Sequence, residues 1–242
     1  MKEVVVTADK IKKRKKFYKR TKIIVFIILL ILIFAFIILS IVYNGGRFTV
    51  TLDNNFALKS GIILYESEEF QNDQTRKLYA ENIDYLDNIS IDWLPKDIDN
   101  EKDGSHNGEN YIAYTFYLEN KGERNINYWY SIIVDDVIKN VDEAVRVMIY
   151  LNGEKEIYAK VNSDTKEAEK DTTAFLDNKE KEIVLEQRKD FKPNDKDKFT
   201  VVIWLEGDDP DCVDALIGGE IKMHMEIREE HKEQEGDKNE SK

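Results

Sequence analysis

From Ile23 to Tyr43 the chain reads IIVFIILLILIFAFIILSIVY, 21 residues without a charge, a glycine or a proline. Wound as a helix, such a run is roughly 31 Å long and matches the hydrocarbon core of a bilayer. Ten Lys and Arg residues precede it against Glu3 and Asp9 alone, a net of +8 over residues 1–22. Basic flanks stay in the cytoplasm, so the N-terminus is expected inside and the chain after Tyr43 outside. A cleaved secretory leader has a shorter apolar core and a small-x-small cut site. The end of this run, Ser40-Ile41-Val42-Tyr43-Asn44, offers no such site. The expectation is therefore a retained signal anchor, with residues 23–43 in the lipid bilayer. The basic cluster acts first as a topology determinant. Attraction to anionic headgroups, about 1 kcal/mol per residue, is its second possible role.

The whole chain carries −12, which leaves −20 on the 220 residues beyond the basic segment. So acidic a surface argues against nucleic acid and against adhesion to anionic lipid. With 12 Tyr, 11 Phe and 3 Trp, a sizeable core is nonetheless within reach. Cys212 is the sole cysteine, so no intrachain disulfide forms and packing must supply the stability. A disulfide-free outer domain fits a Gram-positive cell surface. The expected plan is a basic tail (1–22), a transmembrane helix (23–43), an extracellular domain (44–228) and a disordered acidic tail (229–242), with Gly45-Gly46 as a flexible joint.

Period-2 patterns dominate the outer segment. RFTVTLD (47–53) alternates Phe48, Val50 and Leu52 with Thr49 and Thr51 and predicts a strand at once after the bilayer. Residues 62–65 suit a strand, and 70–86 suit a short helix or loop. ISIDWL (89–94) is expected as a strand ending at Pro95, and the polar stretch 96–110 as a loop. YIAYTFYL (111–118) is apolar on both faces, as a central strand of a two-sheet stack would be. After a turn at 120–123, NYWYSIIV (127–134) predicts a strand and 135–142 a helical turn. AVRVMIYL (144–151), Asn152-Gly153 and 156–161 predict a type I′ hairpin, because both turn residues need positive φ. Residues 162–172 predict loop, 182–185 a short strand and 192–195 a turn. FTVVIWL (199–205) and 220–228 predict the last strands, the latter with one wet face. Many short strands and no long amphipathic helix after the membrane imply an antiparallel β-sandwich, Ig-like or jelly-roll-like.

The stretch WLEGDDPDCVDALIGG (204–219) gathers Glu206, Asp208, Asp209, Asp211 and Asp214. Crowded carboxylates suit a hard cation such as Ca²⁺, which takes about 6–8 oxygen ligands, although the spacing is not that of an EF-hand. The plainer reading is a surface turn whose Asp side chains bond local amides; a partner-contact loop is the third. Carboxylates around Cys212 disfavour its thiolate, so an inert thiol is expected. His106, His224 and His231 lack metalloprotease spacing, and no nucleophile elbow or phosphate loop is present. No catalytic residue is assigned. The aromatic concentration of Tyr111, Tyr114, Tyr117, Tyr128, Trp129 and Tyr130 predicts core packing, with a carbohydrate- or protein-binding face as its alternative.

YIAYTFYLEN, VDEAVRVMIYLNGE and the ending FTVVIWLEGDDPDC…GGEIKMHMEI together resemble the camelysin and TasA type of Gram-positive surface and biofilm-matrix proteins over residues 47–228. That resemblance implies a β-sandwich and, in its family, a cleaved signal and fibres built by strand exchange. A retained anchor departs from that pattern. The expectation is a tethered, non-enzymatic surface protein with a protein or cell-envelope partner and possible self-association. Its alternatives are an accessory subunit of a secretion, division or envelope-assembly complex, or a matrix subunit if the N-terminal segment is cut.

Overall fold

The computed structural model describes residues 8–43, 47–70, 75–83 and 85–229. The Gly45-Gly46 joint, His231 and the tail beyond Glu229 lie outside the described residues. The chain divides into two units, one ending at Gly46 and the other starting at Arg47. In the first, helix α1 spans Ala8–Tyr43, so the basic segment is already helical well before the apolar run. Every described side chain from Lys15 to Ile38 is exposed. Its Ile, Leu and Phe residues point in all directions rather than along one stripe, the pattern of a helix surrounded by apolar matter. Residues Lys15–Ile38 are long and apolar enough to cross a membrane.

The second unit is mainly β. In chain order its strands are β1 (Thr49–Leu52), β2 (Ile62–Tyr65), β3 (Lys77–Tyr79), β4 (Gly104–Ser105), β5 (Tyr111–Asn120), β6 (Ile126–Ile138), β7 (Val145–Leu151), β8 (Glu154–Ala159), β9 (Thr173–Ala174), β10 (Glu182–Phe191), β11 (Lys196–Leu205) and β12 (Glu220–Arg228). They form one sheet in the order β10-β6-β12-β1-β3 and another in the order β2-β5-β11-β7-β8-β9, with β4 also on β5. A short helix, α2 (Asn54–Ser60), follows β1.

The expectation of purely antiparallel sheets is corrected: β1 runs parallel to β12, and β8 parallel to β9. Strands β1 and β12 are remote in sequence, so no hairpin dictates their relative direction. The 89–94 strand is also corrected. Ile89 alone bridges, to Glu206, while Ile91–Trp93 form a 3₁₀ turn. Ser90 starts that turn by accepting from the Asp92 amide, an N-cap that competes with extended pairing. Strand β3 lies within the segment expected as helix or loop. Strand β10 is ten residues long rather than four. The Asn152-Gly153 hairpin forms as expected, with φ of 55° and 86°.

The inner faces of the two sheets share one core that includes Val50, Leu52, Tyr128, Ile132, Met225 and Ile227 from the first and Phe116, Leu118, Ile149, Phe199 and Val201 from the second. Tyr130 meets Phe199 edge-on across the gap, with 5.2 Å between ring centroids. The buried carboxylate of Asp197 on β11 accepts from Tyr128 of β6 at 2.6 Å, from Asn152 of the hairpin turn at 2.7 Å and from Arg188 of β10 at 3.1 Å. Both of its oxygens are thus satisfied, as a buried charge requires. Burial, followed by the Asp197 charge, pushes the Tyr128 hydroxyl well above its ordinary pKa.

The outer face of the second sheet is covered too. Ile89, Leu94 and Ile98 lie on Ala113, Met148, Val202 and Trp204. A strap over residues 89–103 therefore closes the side that YIAYTFYL and FTVVIWL leave apolar. Helix α2 starts at Asp53, whose side chain accepts from the Phe56 amide at 2.8 Å, and stops at Gly61 with φ 69°. A Cβ on Gly61 would lie 2.8 Å from the Gly122 backbone, so helix end and β5–β6 turn touch backbone to backbone.

Candidate functional site

The acidic turn after β11 is where the strap is fastened. Glu206 is buried: one oxygen accepts from the Trp204 indole at 3.0 Å and from the Ile91 amide at 3.2 Å, and the other from the Asp208 amide at 3.2 Å. Asp209 is also buried. Its carboxylate pairs with Arg146 of β7, itself buried, and accepts from the Asp211 amide at 2.8 Å. Asp211 accepts from both the amide and the hydroxyl of Ser163, which hold its carboxyl below the usual range, hydroxyl first. Asp208 and Asp214 are exposed.

The five carboxylates expected to share a cation are therefore not brought together as a set. Asp209 and Asp211 converge instead with Glu169, from the loop after β8, with ligand atoms within 4.8 Å of one another. Sequence reasoning missed Glu169 because it lies in a loop remote from the turn. Three carboxylates offer at most six oxygens, the lower end of what Ca²⁺ takes. All three already accept protein hydrogen bonds, Glu169 from Asn162 at 3.0 Å. The arrangement is that of side chains bonding local amides and one buried guanidinium.

Elsewhere, the aromatic concentration resolves into packing. Tyr114, Tyr128 and Tyr130 are core, and Trp129 is half-buried on the outer face of the first sheet. Tyr117 stacks on Tyr65 at 5.5 Å and donates to Asp103 at 2.6 Å. The thiol of Cys212 is half-buried and accepts from the Asn88 side chain at 3.2 Å. Buried His106 lies between the carbonyls of Gly104 and Ile98, 3.0 Å from each, and ties the strap to itself.

On the outer face of the first sheet, His224 lies between Asp135 (3.0 Å) and Glu226 (3.5 Å). Glu226 in turn meets Arg228 at 3.0 Å, and Arg228 reaches buried Glu182. Ser131 shares that face, which places a Ser, a His and an Asp on one surface. The Ser131 hydroxyl, however, is fully buried and hydrogen-bonds to no described residue. A nucleophile needs both access and a bonded base, so the three do not form a catalytic triad. The hydrogen bonds to Glu226 and Asp135 outweigh burial and raise the His224 pKa.

No protein-family model matches the chain, and no curated protein matches it. Among solved structures, a β-glucosidase from Kluyveromyces marxianus in complex with glucose is similar at 14% identity with a TM-score of 0.28, over 77% of this chain and 18% of that one. A selenomethionine-labelled form gives 12% identity and a TM-score of 0.24 over 68% and 16%. This chain thus spans less than a fifth of those proteins, and scores so low carry no argument about fold or activity.

Three outcomes are expected. Asp209→Asn, by leaving Arg146 buried and unpaired, should cost about 3–5 kcal/mol in denaturant unfolding, whereas exposed Asp208→Asn should stay within about 0.5 kcal/mol. Millimolar Ca²⁺ should leave the melting temperature unchanged, and a rise would restore the cation reading. Because its folded pKa is raised, His224 contributes stability that is complete below its unfolded pKa of about 6.5 and lost as pH climbs through the folded value. Melting curves from mildly acidic to mildly alkaline pH should show that loss in the native chain and not in His224→Gln.

Proposed function

We propose that this is a membrane-anchored, non-enzymatic protein of a Gram-positive cell surface, whose β-sandwich domain stands outside and makes protein or envelope contacts. One observation carries the reading: a helix apolar on every side, all its described side chains from Lys15 to Ile38 exposed, with a strongly basic segment at its start. Water is a poor solvent for such a surface, and the charge asymmetry favours an N-terminus inside.

The sheet edges support a tethered module over a fibre subunit. On one flank Thr75 bridges to Leu64 of β2 just before β3 begins, linking the sheets. On the other, Phe175 bonds Ala159 of β8 and Leu176 bonds Ile183 of β10. Among the described residues no strand pairs the outer edge of β10 from Leu185 to Asp190, but Glu186, itself exposed, and half-buried Arg188 lie on its inner-side face, in register with core residues Tyr130 and Tyr128. Inward charges on an edge discourage the addition of another strand.

Protease added to intact cells should digest the domain from Arg47 onward while sparing residues 1–22. Replacing residues 23–43 with an unrelated apolar span should leave that topology and the domain's contacts unchanged. Appearance in the medium of a form lacking the apolar run would overturn the tether in favour of a matrix subunit. Loss of contacts on span replacement would favour an accessory subunit that binds through its helix.

A further inference from the structure

The strap and the acidic turn form one continuous surface. Ile89 and Glu206 bridge, the Gly207 amide bonds the Ile89 carbonyl at 2.9 Å, and Asn88 reaches Cys212. Residues 85–94 and 206–219 together hold seven carboxylates and no Lys, Arg or His. The interior uses Glu206 and Asp209, and Ser163 uses Asp211. Asp87, Asp92, Asp208 and Asp214 remain exposed.

The same two segments are where the domain shows apolar groups to solvent. Beyond Arg47, eight large hydrophobic residues are exposed among the described residues, and five of them lie here: Tyr85, Ile91, Trp93, Val213 and Ile217. Trp93 is 75% exposed and Tyr85 70%. Neither ring fills the core, although Leu94, the neighbour of Trp93, does. The Lys139 ammonium reaches the Ile217 carbonyl at 2.6 Å at one end of this surface, and among the described residues it forms no ion pair with Asp87, Asp92, Asp208 or Asp214. Exposed aromatics beside these carboxylates favour a ligand that is both cationic and apolar. A guanidinium stacks on Trp or Tyr while pairing with a carboxylate, and an aliphatic neighbour covers the remaining apolar area. Anionic lipid is repelled by the same charge.

Building on the reading of an outward-facing contact module, we propose that this surface binds a cationic polypeptide segment, one in which Arg or Lys alternates with apolar residues. The carboxylates of Asp92 and Asp208 supply attraction, and Trp93 and Tyr85 supply the stacking platform. Charge draws the segment in and aromatic contact retains it, so binding weakens with salt without vanishing.

The full-length chain in nanodiscs of uncharged lipid is titrated with a synthetic peptide of alternating Arg and Leu, and with its Glu–Leu counterpart. The Arg–Leu peptide should bind and the Glu–Leu peptide should not. Trp93→Ala, which removes no core contact, should weaken the Arg–Leu peptide roughly tenfold. Asp92→Asn with Asp208→Asn should weaken it to a similar degree and flatten its salt dependence. Melting temperatures of both variants should match that of the native chain, so that a loss of binding is not a loss of fold. The proposal is overturned if neither peptide binds, if both bind equally, or if the variants bind as the native chain does. Any of these results would remove the partner class alone, because the tether is decided by the separate protease experiment.

Discussion

The layer formed by β5, β11 and β7 must be covered on both faces, and most of the domain's organisation follows from that demand. A strand such as YIAYTFYL has no polar side to leave in water. Its inner face meets the first sheet, where Tyr130 packs on Phe199. For the outer face no third sheet is found among the described residues. The chain lays the 89–103 strap across Ala113, Met148, Val202 and Trp204 instead. Ile98 is fully buried there, and burying one such side chain contributes about 1.5–3 kcal/mol.

A strap that bridges to the turn after β11 at Ile89 but does not continue as a strand needs polar fastenings, because its amides cannot be left unmet in a buried setting. Glu206 provides one, holding the Ile91 amide and the Trp204 indole with a single carboxylate oxygen. His106 provides another through the carbonyls of Gly104 and Ile98. Arg146 and Asp209 fix the turn that carries Glu206. Part of the acidic turn is thus committed to holding the cover in place, and this explains why its five carboxylates do not converge on one point. The rest faces outward as a consequence of the same turn.

Elements governed by short-range rules were legible in the sequence. The alternation of 47–53, the Asn-Gly hairpin and the two-faced apolar strand each appear as expected, since turn chemistry and periodicity act within a few residues. Helix α2 was also legible in principle: Asp53 as N-cap and Gly61 just past its end are its signals. Strand β10 was legible only over 182–185, because beyond Leu185 an edge strand carries polar residues on both faces. Nor could the parallel pairing of β1 with β12, or the approach of Glu169 to Asp209, be read from residues so far apart.

The strap shows why a polar stretch misleads most where it matters. ISIDWL alternates like a strand, yet the hydroxyl of Ser90 caps a 3₁₀ turn, and that turn sends Leu94 inward while leaving Trp93 in water. A strand at this place would have added a pairing edge. The turn instead presents a large ring next to Asp92, on the side of the domain where the acidic turn is also exposed. Covering the sheet and shaping the outer surface are thus achieved by the same residues. A substitution that moves Leu94 or Ile98 would accordingly disturb both the core and the exposed surface around Trp93.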